Sequence, residues 1–475
     1  MTDLSQAAVL RNRIRPSTRW LYGFGAVAFG VKDNGFSYFL MFYYNQVLGL
    51  PGSLAGTAIF IAMMIDAACD PMIGFWSDNT RSRLGRRHPF MYAAALPVAF
   101  AYFFIWHPPA LSEFWLFVYL TVLSVLVRLF VSIYETPSTA IVAELTEDYD
   151  ERTRLLSLRY MFGWVGGLTM AFLMWHYFMV KYGVTGHVTY EAYGLVGSLA
   201  MVTAILLSAG GLHRQIPHLH QPPPRQRFRV GEIISQVGVT LSNRNFLSLF
   251  MAGLFAAVGA GVATNFDAYI NTHFWEFTPE QVSWIVLTLF ASAALAAAFS
   301  TLVTQRFDKK ATAIGIYAVS IVWGTGPVVL RLFGWFPENH SPLLFPIMVV
   351  HSITSVTLII MFGIVQSSML ADIVEESELK TGRREEGLFF AARTFAAKAT
   401  SGVGTLMAGV ALDLIHFPRG DAPGTVPAEA VFNLGLIYGP MLMVFYVLAL
   451  GSMCFYRITR SKHDHHLQVL HRRPA

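Results

Sequence analysis

The 475-residue sequence predicts an all-α membrane protein with twelve transmembrane helices in two six-helix bundles, on three observations. Hydrophobic residues make up 54% of the chain and charged residues only 13%, where an average soluble domain carries about 25% charged. The mean hydropathy is +0.49. Apolar runs long enough to cross a bilayer, about 20 residues each, recur twelve times. The connections between them alternate between rich and poor in Lys and Arg, as loops on opposite sides of a membrane do.

The runs lie near 20–46, 52–77, 88–106, 114–142, 157–179, 191–212, 245–271, 280–304, 311–333, 342–371, 386–415 and 428–457. The segment before them is polar and holds Arg11, Arg13, Arg15 and Arg19. That is not the short apolar core of a cleaved secretory signal, so it reads as a cytoplasmic lead-in. Basic clusters then follow every second span: Arg81, Arg83, Arg86 and Arg87; Arg152 and Arg154; Arg214, Arg225, Arg227 and Arg229; Arg306, Lys309 and Lys310; Lys380, Arg383 and Arg384; Arg460, Lys462, Arg472 and Arg473. The intervening connections LGLPG, HPPALSE and THFWEFTPE are nearly free of them. The positive-inside rule then sets both termini in the cytoplasm of a cell that carries the chain in its plasma membrane, the inner membrane if the cell is Gram-negative. Topology accounts for the net charge of +5, so no nucleic-acid partner is expected. Cys69 and Cys454 fall in or beside apolar spans far apart in sequence, which speaks against a disulfide framework or a thiolate metal site.

The longest polar interruption, HRQIPHLHQPPPRQRFRVGEI, contains Pro222 to Pro224 and favours an extended linker. It divides the chain into a first bundle (1–212), a linker (213–244), a second bundle (245–457) and a tail (458–475). Span 2 ends in WSDNTRSRLGRR and span 10 in LADIVEESELKTGRR, an internal echo of the kind that transporters with repeated halves show. His463, His465, His466 and His471 lie in the tail and read as a solvated segment.

A carboxylate at mid-bilayer costs about 2.5–3.5 kcal/mol and therefore faces a cavity or a partner. Asp66 and Asp70 are four residues apart, one helical turn on one face. Two such carboxylates repel unless a proton or a cation lies between them. In span 4, Arg128, Ser132 and Glu135 share a face, and Pro137 removes a helix hydrogen bond just past Glu135. Three carboxylates and a hydroxyl suit a hard monovalent cation or a proton relay. The competing reading pairs Asp66 or Asp70 with Arg128 as internal glue. Lys32 and Asp33 in span 1, Arg159 in span 5, Asp267 in span 7, and Arg393 and Lys398 in span 11 complete the set.

The stretches YGFG (from Tyr22), DAACDPMIGFWSDNTRSRLGRRHPF (from Asp66), ETPSTAIVAELTEDYDERTRLLSLR (from Glu135) and MLADIVEESELKTGRREEGLFFAARTFAAKATSG (from Met369) resemble the glycoside-pentoside-hexuronide:cation symporters, the melibiose permease-like family of the major facilitator superfamily. The resemblance covers nearly all of the chain. It implies two bundles that rock about a central cavity, a small-molecule substrate, no cofactor beyond a coupling sodium or proton, and a monomer. It implies a cation site of Asp66, Asp70, Glu135 and Ser132, which would be a metal site if the ion is sodium. It also implies a substrate site of Glu135, Arg159 and Lys398, to which Lys32 and Arg128 are added by proximity in sequence.

The family's usual Asp and Thr are replaced here by Glu135 and Ser132. Aligning from YGFG puts Phe29 and Gly30 where melibiose-type members carry a Lys-Asp pair, and Thr139 stands where galactoside carriers place a tryptophan. These departures argue against a galactoside. With Arg128 and Arg393 added, the charge set admits an anionic sugar such as a uronide or a sulfonated sugar. Asp78, Arg81, Arg86, Arg87, Glu147, Asp148, Arg152 and Arg154 are expected to form a cytoplasmic gate by ion pairs with Asp372, Glu375, Glu376, Arg383 and Arg384. Two rival readings stand beside the sugar symporter. A lysophospholipid carrier of the same family fits the missing sugar-binding side chains. A polytopic membrane enzyme is the remote alternative, but the chain holds no HExxH, GxSxG or P-loop motif.

Overall fold

The computed structural model describes residues 14–146, 148–219, 243–306, 308–381, 386–420 and 424–458. Among them every regular element is a helix, and the helices join into twelve rods. The first, α1, comprises Pro16–Phe24 and Val27–Asn34, then π-helical turns at Gly35–Phe39 and Tyr43–Val47 around Leu40–Phe42. The rest of the first six are α2 (Gly52–Asn79), α3 (His88–Ile105), α4 (Glu113–Ala140, continued by Val142–Leu145), α5 (Tyr149–Leu173, continued through Met174–Phe178 to Met179–Tyr182) and α6 (His187–Leu212). The second six are α7 (Arg244–Tyr269, then Ile270–Phe274), α8 (Pro279–Arg306), α9 (Lys309–Leu332), α10 (Leu344–Thr381), α11 (Glu386–Leu414) and α12 (Ala428–Leu436, Ile437–Met441 and Leu442–Cys454).

Their limits follow local chemistry. Asp148 caps α5 by accepting from the Glu151 amide, Asn243 caps α7 through the Asn245 and Phe246 amides, and Asp308 caps α9 through that of Lys310. Each satisfies an amide that the first helical turn leaves without a partner. At 1.5 Å per residue, 28-residue α2 spans about 42 Å, more than the hydrocarbon of a bilayer. By length and composition nine helices of the described residues can cross a membrane. The pattern of exposure agrees, since Leu96 and Phe100 on α3, Leu195 and Leu199 on α6, Val319 and Val322 on α9, and Val444 and Val447 on α12 all project outward. Large apolar side chains in repeating exposed rows suit lipid as the surrounding solvent.

The chain falls into two compact units, Met1–Leu50 with Ala58–Phe228 and Pro51–Thr57 with Arg229–Ala475. In the first, α3 packs on α4 and α6, and α1 on α5 and α6. Its core is aromatic: Tyr43, Tyr44, Tyr102, Trp106, Tyr190 and Tyr193 are all fully buried. Tyr43 stacks on Tyr190 with centroids 4.5 Å apart, and the Tyr44 hydroxyl donates to the Ile105 carbonyl at 2.9 Å. The Tyr43 hydroxyl likewise donates to the Trp106 carbonyl, so the end of α3 supplies acceptors to both. In the second unit α7 packs on α11 and α12, and α10 on α8 and α9, around Phe246, Tyr317, Phe362, Met369, Met453 and Tyr456. The opening turns of α2 belong to this unit: Asp413 accepts from the amides of Gly52 at 3.0 Å and Ser53 at 2.8 Å.

The units repeat one another in two details. The rods α1 and α7 end identically: Leu48 and Leu50 donate to Tyr43 and Tyr44, and Trp275 and Phe277 to Ile270 and Asn271. The residue inside the final loop has positive φ in both, Gly49 at 74° and Glu276 at 51°. Glycine takes that conformation at no steric cost, whereas Glu276 adopts it against its Cβ. Second, α1 meets α5 and α7 meets α11 through glycines. A Cβ on Gly30 would overlap the Gly163 carbonyl oxygen, and one on Gly261 would lie 2.5 Å from that of Ser401. Small residues let helix backbones approach closely enough for dispersion to hold them in lipid.

Gly30→Ala and Gly261→Ala are expected to lose about 1–3 kcal/mol each from overpacking. Gly253→Ala, where nothing lies within 4 Å, should be neutral. Thermal unfolding of the three variants in detergent checks the contrast.

Candidate functional site

A stripe of ionic and hydroxyl side chains runs along one face of α4. Arg128, Ser132, Glu135 and Thr139 recur at the three- and four-residue spacing of a helix stripe. Ser132 Oγ donates to Asp66 Oδ1 at 2.8 Å, and Arg128 lies 3.6 Å from Asp66 Oδ2. Asp66 is 4% exposed and Arg128 8%. The Arg128 guanidinium lies over the ring of Phe36 on α1, 5.1 Å from its centroid, a cation–π contact.

One turn further along α4 the polarity inverts. Glu135 accepts from Arg159 of α5 in a tight ion pair. Arg159 also donates to Ser138 Oγ at 2.7 Å, and its guanidinium lies 5.5 Å from the ring centroid of Tyr22. The Tyr22 hydroxyl in turn donates to the Ser138 carbonyl at 3.1 Å. Thr139 Oγ1 is 3.5 Å from the other Glu135 oxygen. The stripe therefore binds a base to an acid of α2 at one level and an acid to a base of α5 at the next.

Of the residues expected to form a cation site, Ser132 and Asp66 touch. Asp70 lies half-buried one turn beyond Asp66, and Glu135 is held by Arg159 instead. Among the described residues no three His, Cys, Asp or Glu side chains stand close enough to hold a metal ion, so Asp66, Asp70 and Glu135 do not converge on one point here. The physical reason is visible in the pairs, since each arginine draws its carboxylate toward itself. On α1, Lys32 is buried beside the Phe29 ring, 4.5 Å from its centroid, with Asp33 Oδ1 at 3.5 Å. Adjacent residues point apart on a helix. The length of the lysine lets Nζ reach back all the same. Lys398 lies half-buried on α11 in the second unit, and the Arg393 side chain lies outside the described residues.

The residues expected at a gate pair within each unit. Arg87 contacts Asp78 at 2.5 Å, Glu144 at 2.9 Å and Ser77 at 2.8 Å, and Arg86 reaches Glu144 at 2.8 Å. Arg152 donates to the Thr146 carbonyl at 2.8 Å, Arg81 is exposed, and Arg19 meets Glu151 at 2.5 Å. In the second unit Asp372 pairs with Lys309 at 2.7 Å, and Glu376 accepts from Asn245 at 2.8 Å. Glu147, Arg383, Arg384 and the Glu375 side chain lie outside the described residues. The sequence reading missed Glu144, whose signal was an acid inside the apolar run AIVAEL. It also missed Tyr22, Ser138 and Phe36, which look like ordinary core residues until their partners are seen.

The model of the family described as MFS/sugar transport protein matches residues 21–460. The isoprimeverose transporter of Lactiplantibacillus pentosus is 22% identical over 96% of this chain and 91% of its own length. The sodium-dependent lysophosphatidylcholine symporter 1 of Gallus gallus is 24% identical over 97% of this chain and 90% of its own. Among solved structures the nucleoside transporter NupG superposes with a TM-score of 0.62 at 14% identity, covering 94% of this chain and 100% of that one. That likeness concerns the fold.

Removing Glu135 leaves the buried Arg159 uncompensated, so Glu135→Gln should destabilise by about 2–4 kcal/mol, and Arg159→Gln, which leaves the partly exposed Glu135 to water, by less. The double variant should lose clearly less than the sum, as a double-mutant cycle on thermal unfolding reads directly.

Proposed function

Because the chain belongs to the MFS/sugar transport protein family, we propose that it is a cation-coupled symporter of a sugar, glycoside or uronide. It is a multi-pass membrane transporter and not an enzyme. The observation that carries the reading is the stripe on α4, where one helix face joins a buried Asp66–Ser132 pair to the Glu135–Arg159 pair. Intramembrane charges so arranged are where transporters hold ions and polar solutes.

In this reading sodium or a proton is taken at Asp66 and Asp70 with help from the Ser132 hydroxyl and Glu135. Glu135 and Arg159, with Lys32, Arg128 and Lys398, face the substrate. A carboxylate and a guanidinium side by side offer an acceptor and a planar donor to vicinal hydroxyls. If a cation relieves the repulsion between the helix carboxylates, it orders the neighbouring acid for substrate, and linkage makes the effect reciprocal. The two units rock about the site by alternating access. The Arg-rich connections face the cytoplasm, and residues 213–244 link the halves. Asp78, Arg81, Arg86, Arg87 and Arg152 work with Asp372, Glu375 and Arg383 as the cytoplasmic gate of a monomer in the plasma membrane.

A second reading has two observations in its favour. A relative of nearly the same length is named for sodium-dependent lysophosphatidylcholine symport, and Phe29, Gly30 and Thr139 remove side chains that would grip a disaccharide.

Reconstitution in liposomes separates the two. With an imposed sodium or proton gradient, uptake should appear for one class among neutral glycosides, uronides and lysophosphatidylcholine. It should fall about tenfold or more in Asp70→Asn and Glu135→Gln, the loss expected for a charge-assisted contact. Gradient-driven lysophosphatidylcholine uptake without any sugar uptake would make the lysolipid the cargo. Uptake indifferent to both gradients would reduce the protein to a facilitator.

A further inference from the structure

We propose that Arg128 is a built-in competitor for the coupling cation at Asp66 and sets the site against sodium. This rests on the symport reading above and names the selectivity of that same site. Arg128 is more than nine-tenths buried, and its Nε has no hydrogen-bond partner. Its guanidinium stands 3.6 Å from Asp66 Oδ2, near enough for Coulomb attraction but beyond hydrogen-bond length. Asp33 and Asp70 also act on it electrostatically. Asp66 is the strongest of these partners, so the guanidinium already supplies the positive charge that this carboxylate requires.

Two features make it a competitor rather than a strut. An arginine keeps its proton at any physiological pH, so the positive charge is permanent. A sodium ion brought to Asp66 would also meet a like charge at about 4 Å, which at the effective dielectric of a protein site weakens binding on the order of a thousandfold. The surrounding charges fit this role. Asp66 and Asp70 set two carboxylates one turn apart on α2, and Arg128 already offsets one of them; a neutral residue at 128 would leave that charge to a cation from solution.

The test needs no transported solute. Thermal unfolding of the purified full chain in detergent is compared in about 100 mM sodium chloride and in matched choline chloride at fixed pH. The wild type and Arg128→Lys should unfold at the same temperature in both salts. Arg128→Gln should gain about 2–4 °C in sodium alone. Sodium stabilisation of the wild type, or a folded Arg128→Gln indifferent to sodium, would overturn the proposal. Should Arg128→Gln not survive purification, Arg128→Ser takes its place, with the same outcomes expected and the same outcomes overturning the proposal. The symport reading fails separately, if neither a sodium nor a proton gradient drives any solute in liposomes.

Discussion

Pairing charges that the bilayer would otherwise forbid organises the side of the first unit where α2, α4 and α5 meet. An unpaired arginine or carboxylate at this depth would cost more than most side-chain packing returns. The fold answers by threading opposite charges along α4 and presenting each to a different neighbour, Asp66 on α2 and Arg159 on α5. Three rods are thereby held in rotational register by electrostatics, at positions where their packed faces consist largely of small or aromatic residues. The aromatic core at the other end of the bundle, from Tyr43 to Tyr193, has no such requirement and uses hydroxyl-to-carbonyl bonds instead.

Much of this architecture was legible in the sequence. Hydropathy and the alternation of basic connections placed the spans to within a few residues for α2, α3, α7 and α11, because both signals act along the chain and need no tertiary knowledge. Helices α5 and α10 begin earlier or end later than their apolar runs. Their extensions beyond those runs, Tyr149 to Leu156 and Asp372 to Thr381, keep helical hydrogen bonding where hydropathy has already fallen. The breaks in α1 at Gly25 and its π-helical turns were invisible too, since a single inserted residue per turn leaves composition unchanged.

The site was half legible. That Asp66, Ser132, Glu135 and Arg159 matter could be read from ionic residues inside apolar runs. The pairing of Arg128 with Asp66 was one of two readings left open for that acid, and helical spacing could not decide between them, because it fixes faces within a rod and says nothing of the rod opposite. Glu135 stands with Arg159, and Asp66 with Ser132 and Arg128, where spacing had gathered the three acids into one group. Glu144 shows the same limit from the other side: two arginines converge on it, while the sequence drew notice to its more obvious acidic neighbours.

The glycine contact between α1 and α5 has a mechanical corollary. With the Gly30 and Gly163 backbones touching and Gly167 against the same turn, neither rod can slide or roll past the other without collision. They share one degree of freedom. Lys32 stands two residues from that fulcrum on one rod, and Arg159 stands one turn from it on the other. The contact thus sets the spacing between the two rods at the level where Lys32 and Arg159 stand.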